Sequence, residues 1–285
     1  MADVYQIITD RICEMLERGD TPPWRKPWRG GDHMPTNLAS KRAYRGVNVF
    51  LLHATGYASP WWLSYKQAKD RGGQVRRGEK GLPVVFWKPL EVADKETGKT
   101  KQVPLLRYYT VFNVDQIDGL DLPEQETDGD PVSPVETAEA VVAGYQDGPD
   151  VAHQGGQACY SPQRDAVLIP PLSLFRDASG YYGTLFHELG HSTGHEKRLD
   201  RKGISEPHGY GSSAYAQEEL VAEMTGAFLL GHCGLEAPEL ENAAAYIKGW
   251  LKALRDDRKL VVVAAAQAQK AADWILGRKE DAREE

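Results

Sequence analysis

The sequence predicts an α+β fold in two domains, and three observations carry that prediction. Charge is divided unequally: of 34 Lys+Arg and 41 Asp+Glu, residues 1–115 hold 19 and 12, a net of +7, leaving 15 and 29, a net of −14, for residues 116–285. Residues 119–134 are acidic and rich in Pro and Gly, the composition of a linker. The β-branched and aromatic runs concentrate before that stretch, and most long runs of helical periodicity lie after it. Residues 1–118 therefore read as a small α+β domain, 119–134 as the linker and 135–285 as a second domain. A chain of 285 residues has room for both.

Tyr5, Ile8, Ile12, Met15 and Leu16 recur at helical spacing, and Gly19 stops the run. A loop of Pro, Trp and Arg follows from Thr21 to Arg29. Val47 to His53 reads as a short buried helix, and Ser64 as the N-cap of a helix running to Arg71. After a basic, Gly-rich turn over residues 72–81, Val84 to Lys88 and Leu105 to Asn113 read as two strands whose connection turns at Thr97-Gly98. Beyond the linker, Val135 to Tyr145 reads as a helix. Gln157 to Tyr160 and Ala166 to Ile169 read as a hairpin turning over Ser161 to Asp165. Helices follow at about Ser179–His195, Ser213–His232, Glu239–Leu254 and Leu260–Leu276.

Hydrophobic residues at 41% and charged residues at 26% are ordinary for a soluble globular protein. Asp3, Asp10, Arg11 and Glu14 interrupt any apolar leader, and Gln267, Gln269, Lys270 and Asp273 make the Leu260–Leu276 run too polar to span a bilayer. Cys13, Cys159 and Cys233 are odd in number and widely spaced, which argues against a disulfide framework. These features predict a cytoplasmic protein without a membrane partner.

The chemistry concentrates in His187-Glu-Leu-Gly-His191. Residues four apart on a helix project from one face, so the two imidazoles can grip one Zn²⁺ at about 2.0–2.1 Å. Glu188, beside the first ligand, can take a proton from the metal-bound water, whose pKa zinc lowers towards about 7. The predicted cofactor is one Zn²⁺ per chain. For a third ligand, two places compete. His191-Ser-Thr-Gly194 begins like a metzincin extension, but Lys197 stands where that pattern needs a histidine, and His195 would lie about 12 Å along the axis from His187 if the helix continued. The second place is Glu218-Glu219-Leu-Val-Ala-Glu223, in a strongly helical run with apolar neighbours. As in the gluzincin arrangement, Glu219 would ligate and Glu223, four residues on, would hydrogen-bond a ligating histidine; Glu218 is the alternative ligand. Tyr215 shares the Glu219 face and is a candidate to stabilise an oxyanion. His208 and Tyr210 lie in a Gly-rich loop that can line the cleft, and Arg198, Asp200 and Arg201 read as structural contacts just past the site helix.

The basic half interleaves cations with flat rings: Trp24, Arg25, Lys26 and Trp28; Arg42, Tyr44 and Arg45; Trp61 and Trp62; Arg76, Arg77 and Lys80. Five of the seven tryptophans lie here. Positive charge that tracks phosphates, with rings that stack on unpaired bases, is what single-stranded nucleic acid requires. No helix-turn-helix or zinc-finger pattern accompanies it, which argues against sequence-specific duplex readout.

Several stretches together resemble the ArdC-type antirestriction proteins of conjugative plasmids and other mobile elements. They are Pro23-Trp24-Arg-Lys-Pro-Trp28, Tyr44-Arg-Gly46-Val-Asn48-Val-Phe-Leu51, Gly73-Gln-Val75-Arg-Arg-Gly78-Glu79-Lys80, Val111-Phe-Asn113, His187 to His195 with Arg198-Leu199, and Tyr215 to Glu223. The resemblance spans nearly the whole chain. It implies an N-terminal domain that binds single-stranded DNA and a C-terminal zincin-like metallopeptidase domain of gluzincin type, which together protect incoming DNA from restriction. It further implies a protein substrate, for which components of a restriction system are candidates. A similar N-terminal region occurs in some plasmid primases, but this chain carries no primase or helicase motif. The alternative is a DNA-shielding protein whose metal site is structural. The intact Glu188 favours the enzyme, because a structural site has no need of that carboxylate.

Overall fold

The computed structural model of the chain describes residues 3–26, 34–93, 100–123, 133–205, 213–238 and 242–278. Helix α1 (Val4–Glu17) starts where the Asp3 carboxylate accepts from the Tyr5 N–H at 3.0 Å, and it buries Ile8, Ile12 and Leu16. Strand β1 (Thr36–Asn37) precedes α2 (Val47–His53), the short buried helix the sequence predicts. Strand β2 (Trp61–Ser64) runs into α3 (Tyr65–Asp70), whose first turn is closed by a reciprocal capping box between Ser64 and Gln67. Strand β3 (Gln74–Val75) follows, then β4 (Leu82–Ala93) and β5 (Thr100–Asn113), and β3 pairs with β6 (Ile117–Asp118).

The β4–β5 ladder is longer than its β-branched centres suggest. It continues through Pro89 opposite Pro104, residues that read locally as strand breakers. The turn expected at Thr97-Gly98 lies outside the described residues. The four-stranded sheet has the order β1-β2-β5-β4, with β1 parallel to β2 and the other pairs antiparallel.

The second half opens with α4 (Pro134–Gly144). A three-stranded sheet follows: β7 (Asp150–His153) parallel to β9 (Ala166–Ile169), with β8 (Cys159–Ser161) antiparallel to β9 at the edge. The β8–β9 hairpin is as expected; β7 is too short and weakly apolar to signal itself in sequence. Helices α5 (Ala178–Ser192), α6 (Lys202–Ser205), α7 (Ser213–Cys233), α8 (Ala243–Asp256) and α9 (Leu260–Ile275) complete the chain. Among the described residues, no helix is long and apolar enough to cross a membrane.

The main hydrophobic core takes side chains from both halves of the sequence. Ile8 and Ile12 of α1 and Phe50 of α2 join Phe186 of α5, Phe228 of α7 and Val261 of α9. The Phe50 and Phe228 rings meet at 4.6 Å. Trp24 is enclosed as well: its indole N–H donates to the Tyr246 hydroxyl at 3.0 Å, and its ring stands edge-on to Trp250. The loop after α1 is therefore anchored on the C-terminal helices.

Candidate metal centre and the basic half

Helix α5 begins on Asp177, which accepts from the Gly180 N–H at 2.8 Å, and it carries His187 and His191 one turn apart. Their Nε2 atoms face each other at 3.1 Å. Helix α7 approaches closely because glycines line the contact. A Cβ on Gly190 would stand 3.1 Å from the Ala222 Cα, and one on Gly226 would stand 3.4 Å from the His187 nitrogen. That approach brings Glu219 in, with Oε2 3.6 Å from His187 Nε2 and Oε1 3.7 Å from His191 Nε2. One ligand atom from each of the three residues lies within 4.8 Å of the others. In a tetrahedral site with donors about 2.0–2.1 Å from zinc, neighbouring donors stand roughly 3.3 Å apart, so this triangle has the size of a site for one such cation.

Glu218 points elsewhere. Its Oε1 lies 3.3 Å from Nδ1 of His191, the nitrogen away from the cluster, and both its oxygens are held by Arg201, at 2.9 Å from Nε and 2.6 Å from Nη2. Arg201 also donates to the Gly190 carbonyl and the Thr193 hydroxyl, tying the end of α5 to α7. The carboxylate against a site imidazole is thus Glu218, whereas Glu223 meets Arg25 at 3.2 Å. Burial disfavours a charged His187, yet its hydrogen bond to Glu219 and the charges of Glu223 and Glu188 outweigh burial and raise its proton affinity. Burial likewise opposes ionisation of Glu219. Its contacts with His187 and His191, and a hydrogen bond from Tyr215, overcome that and hold its carboxyl below the ordinary range.

Glu188 is buried, and its Oε2 accepts from the Tyr160 N–H of β8 at 2.8 Å. That edge strand is locked in turn. Arg198 forks onto Asp165 at 2.9 and 3.0 Å, donates to the Asp147 and Ser192 carbonyls, and shares Asp165 with the Tyr160 hydroxyl. Helix α5 ends at Ser192, so His195 lies past the helix and outside the donor cluster; its Nδ1 accepts from the Lys197 N–H. His208 and Tyr210 lie outside the described residues. The supporting roles of Arg201 and of the Tyr160 N–H carry no sequence motif, because each depends on a contact between separate elements.

These ion pairs set a pH dependence. Burial works against the ionised Asp165, but Arg198 and then Tyr160 more than offset it, and its carboxyl sits below the ordinary value. Glu218 behaves likewise, through Arg201 and then His191. Carboxylates whose pKa falls on folding stabilise the fold above their unfolded values of about 3.9–4.3 and lose that contribution as pH drops through the folded values. The urea midpoint of the metal-free protein should therefore fall steeply below about pH 4. A midpoint unchanged between about pH 5 and pH 3 would contradict these pairings.

A family model described as a zincin-like metallopeptidase matches residues 136–267, and one for the N-terminal domain of anti-restriction factor ArdC matches residues 2–112. The metal-free crystal structure of the antirestriction ArdC protein from plasmid R388 is 43% identical, with a TM-score of 0.76 over 96% of this chain and 97% of that one. The chain belongs to the ArdC antirestriction family. The Mn(II)-bound structure of the R388 protein matches at 41% identity and a TM-score of 0.76, over 99% of this chain and 100% of that one. Protein y4eC of Sinorhizobium fredii is 39% identical over 299 residues, 99% of this chain and 94% of that protein. DNA primase TraC of Escherichia coli is 39% identical over 293 residues, which are 95% of this chain but only 27% of that protein.

In the ArdC N-terminal half, the rings nominated for stacking divide sharply. Trp24, Tyr44 and Trp62 are 1%, 8% and 2% exposed and belong to the core, so the expectation that they stack on bases is corrected by their burial. Trp61 is half-buried, with the Lys41 ammonium 4.3 Å above its ring. Trp28 lies outside the described residues. Among the cations, Arg25 pairs with Glu223 and Lys26 donates to the Ala54 carbonyl, while the more exposed Arg45 pairs with Asp273 and Arg76 with Glu79 and Asp118. Arg42, Arg77 and Lys80 are exposed.

Proposed function

We propose that this ArdC-family protein is a zinc-dependent peptidase joined to a single-stranded-DNA-binding half, and that it acts in antirestriction. The observation that carries the peptidase reading is the triangle of His187, His191 and Glu219 donors beside the buried Glu188. Two imidazoles and a carboxylate suit zinc or a similar divalent cation. When bound, the metal supplies Lewis acidity that acidifies water and polarises a carbonyl. Glu188, steadied by the Tyr160 N–H, takes the proton from the attacking water and returns it to the leaving amine. Tyr215, hydrogen-bonded to Glu219, supports the developing oxyanion. Glu218 orients His191, and Glu223 contributes negative charge next to His187. Strand β8, at the sheet edge, offers an extended substrate backbone a partner next to Glu188.

Elemental analysis tests the site. The intact chain should hold about one Zn²⁺ and the His187→Ala/His191→Ala protein almost none. Full zinc content in that variant sinks the assignment.

The DNA reading rests on the net charge of +7 over residues 1–115 and the exposed cations of that half. The full chain is the right material for testing it, because α1, Trp24 and α2 bury onto the C-terminal helices. Single-stranded DNA should bind better than duplex, with log affinity falling linearly against log salt as counterions are released. Binding that ignores salt, or that prefers duplex, would refute it.

A further inference from the structure

Once Trp24, Tyr44 and Trp62 are assigned to the core, the DNA reading needs a different place for an unpaired base. A cleft of about 290 Å³ opens between α1, α2 and the start of β4. Arg11, Met15 and Arg18 line it from one face of α1 and its C-cap, at the i, i+4, i+7 spacing of a helix. Buried apolar side chains form its floor, with Met15, Leu51 and Leu82 at 6%, 4% and 9% exposure. Lys80, an exposed residue just before β4, lines it too, and among the described residues it enters no ion pair. Tyr57, 39% exposed, stands at the wall, braced edge-on by Trp62 at 5.7 Å.

The charges of this cleft are unbalanced. Among the lining residues the carboxylate is Asp20, bound by Arg18 at 3.1 Å; Glu79 and Asp115 lie outside the lining on the hydroxyl side of Tyr57, with Arg76 offsetting them. Among the described residues Arg11 pairs with Glu14, at 3.8 Å with both side chains exposed, a pairing that solvent screens heavily. Three cations over an apolar floor, with one accessible ring, match a unit that carries phosphates at one end and a flat apolar face at the other. A paired base cannot turn into such a cleft, because its edge and faces are already occupied in the duplex. An acidic peptide would use the cations and leave the ring and floor uncovered.

We infer that this cleft seats one nucleotide of single-stranded DNA, its flanking phosphates on Arg11, Arg18 and Lys80 and its base against Tyr57 and the apolar floor. The inference rests on the single-stranded-DNA reading above and adds its location. The sequence passes over the site because Arg11 and Arg18 read as ordinary helix-surface residues and Tyr57 stands alone in a loop.

Fluorescence anisotropy of a labelled oligothymidylate with the full chain tests it. The Arg18→Ala/Lys80→Ala protein should bind about ten-fold or more weakly at low salt, and its slope of log affinity against log salt should flatten by about 1.4, about 0.7 per lost phosphate contact. Tyr57→Ala should weaken binding by about 5- to 150-fold, and Tyr57→Phe should keep it, because the ring face and not the hydroxyl does the stacking. Lys252→Ala, which removes an exposed cation of α8, should bind as the parent does. If the parent binds the strand and the cleft variants match it in affinity and slope, the cleft is not the seat although the DNA reading stands. A parent that binds no single strand ends both. Equal weakening toward DNA and polyglutamate in the double variant, with Tyr57→Ala unaffected, would mark a general anion patch and overturn the assignment.

Discussion

Glu188→Gln should lower peptidase turnover by about 10²–10⁴-fold or more while leaving zinc content, thermal unfolding and DNA affinity at parental values. Glutamine is nearly isosteric, and its side-chain oxygen can still accept from the Tyr160 N–H at the position Glu188 Oε2 occupies. What is lost is the basic carboxylate beside His187 and His191. The donor triangle does not include Glu188, so metal binding should persist. Antirestriction is the informative second readout. Loss of protection at normal DNA affinity makes proteolysis part of the mechanism, whereas retained protection assigns it to DNA binding alone. Parental turnover of a validated substrate would show that Glu188 is not the base.

Arg201→Ala should destabilise the fold by about 3–5 kcal/mol, the typical loss when one partner of a buried ion pair is removed. Arg201 and Glu218 side chains are each only 7% exposed, and the guanidinium also satisfies the Gly190 carbonyl and the Thr193 hydroxyl. The variant leaves a buried carboxylate without its cation, and the Gly190 carbonyl and the Thr193 hydroxyl at the end of α5 without their donor. Replacing both partners, as in Arg201→Met/Glu218→Leu, should recover much of the loss, because no lone charge is then buried. Only the double variant frees His191 Nδ1 from the Glu218 carboxylate, so it alone should bind metal about 10- to 100-fold more weakly, while Arg201→Ala keeps that contact, which separates the stability effect from the site effect. A urea titration in which Arg201→Ala costs under about 1 kcal/mol would contradict the buried network.

The sequence by itself determined what repeats within one element. The i, i+4 spacing of His187 and His191 places two imidazoles on one helix face wherever that helix lies, and Ser64 with Gln67 specifies a capping box on its own. The charge division along the chain needs no fold to be seen. Only the tertiary structure decided which of two adjacent carboxylates joins the donors. Glu218 and Glu219 differ by about 100° around α7, and the side turned to α5 is set by the close approach at Gly190 and Gly226. The same holds for Trp24, whose flanking cations suggest a surface residue until α8 covers it, and for Arg25 and Glu223, which meet across 198 residues. Periodicity fixes geometry along one helix or strand, because the backbone repeats. Which faces meet depends on how side-chain volumes pack between elements, and that information belongs to no single segment of the chain.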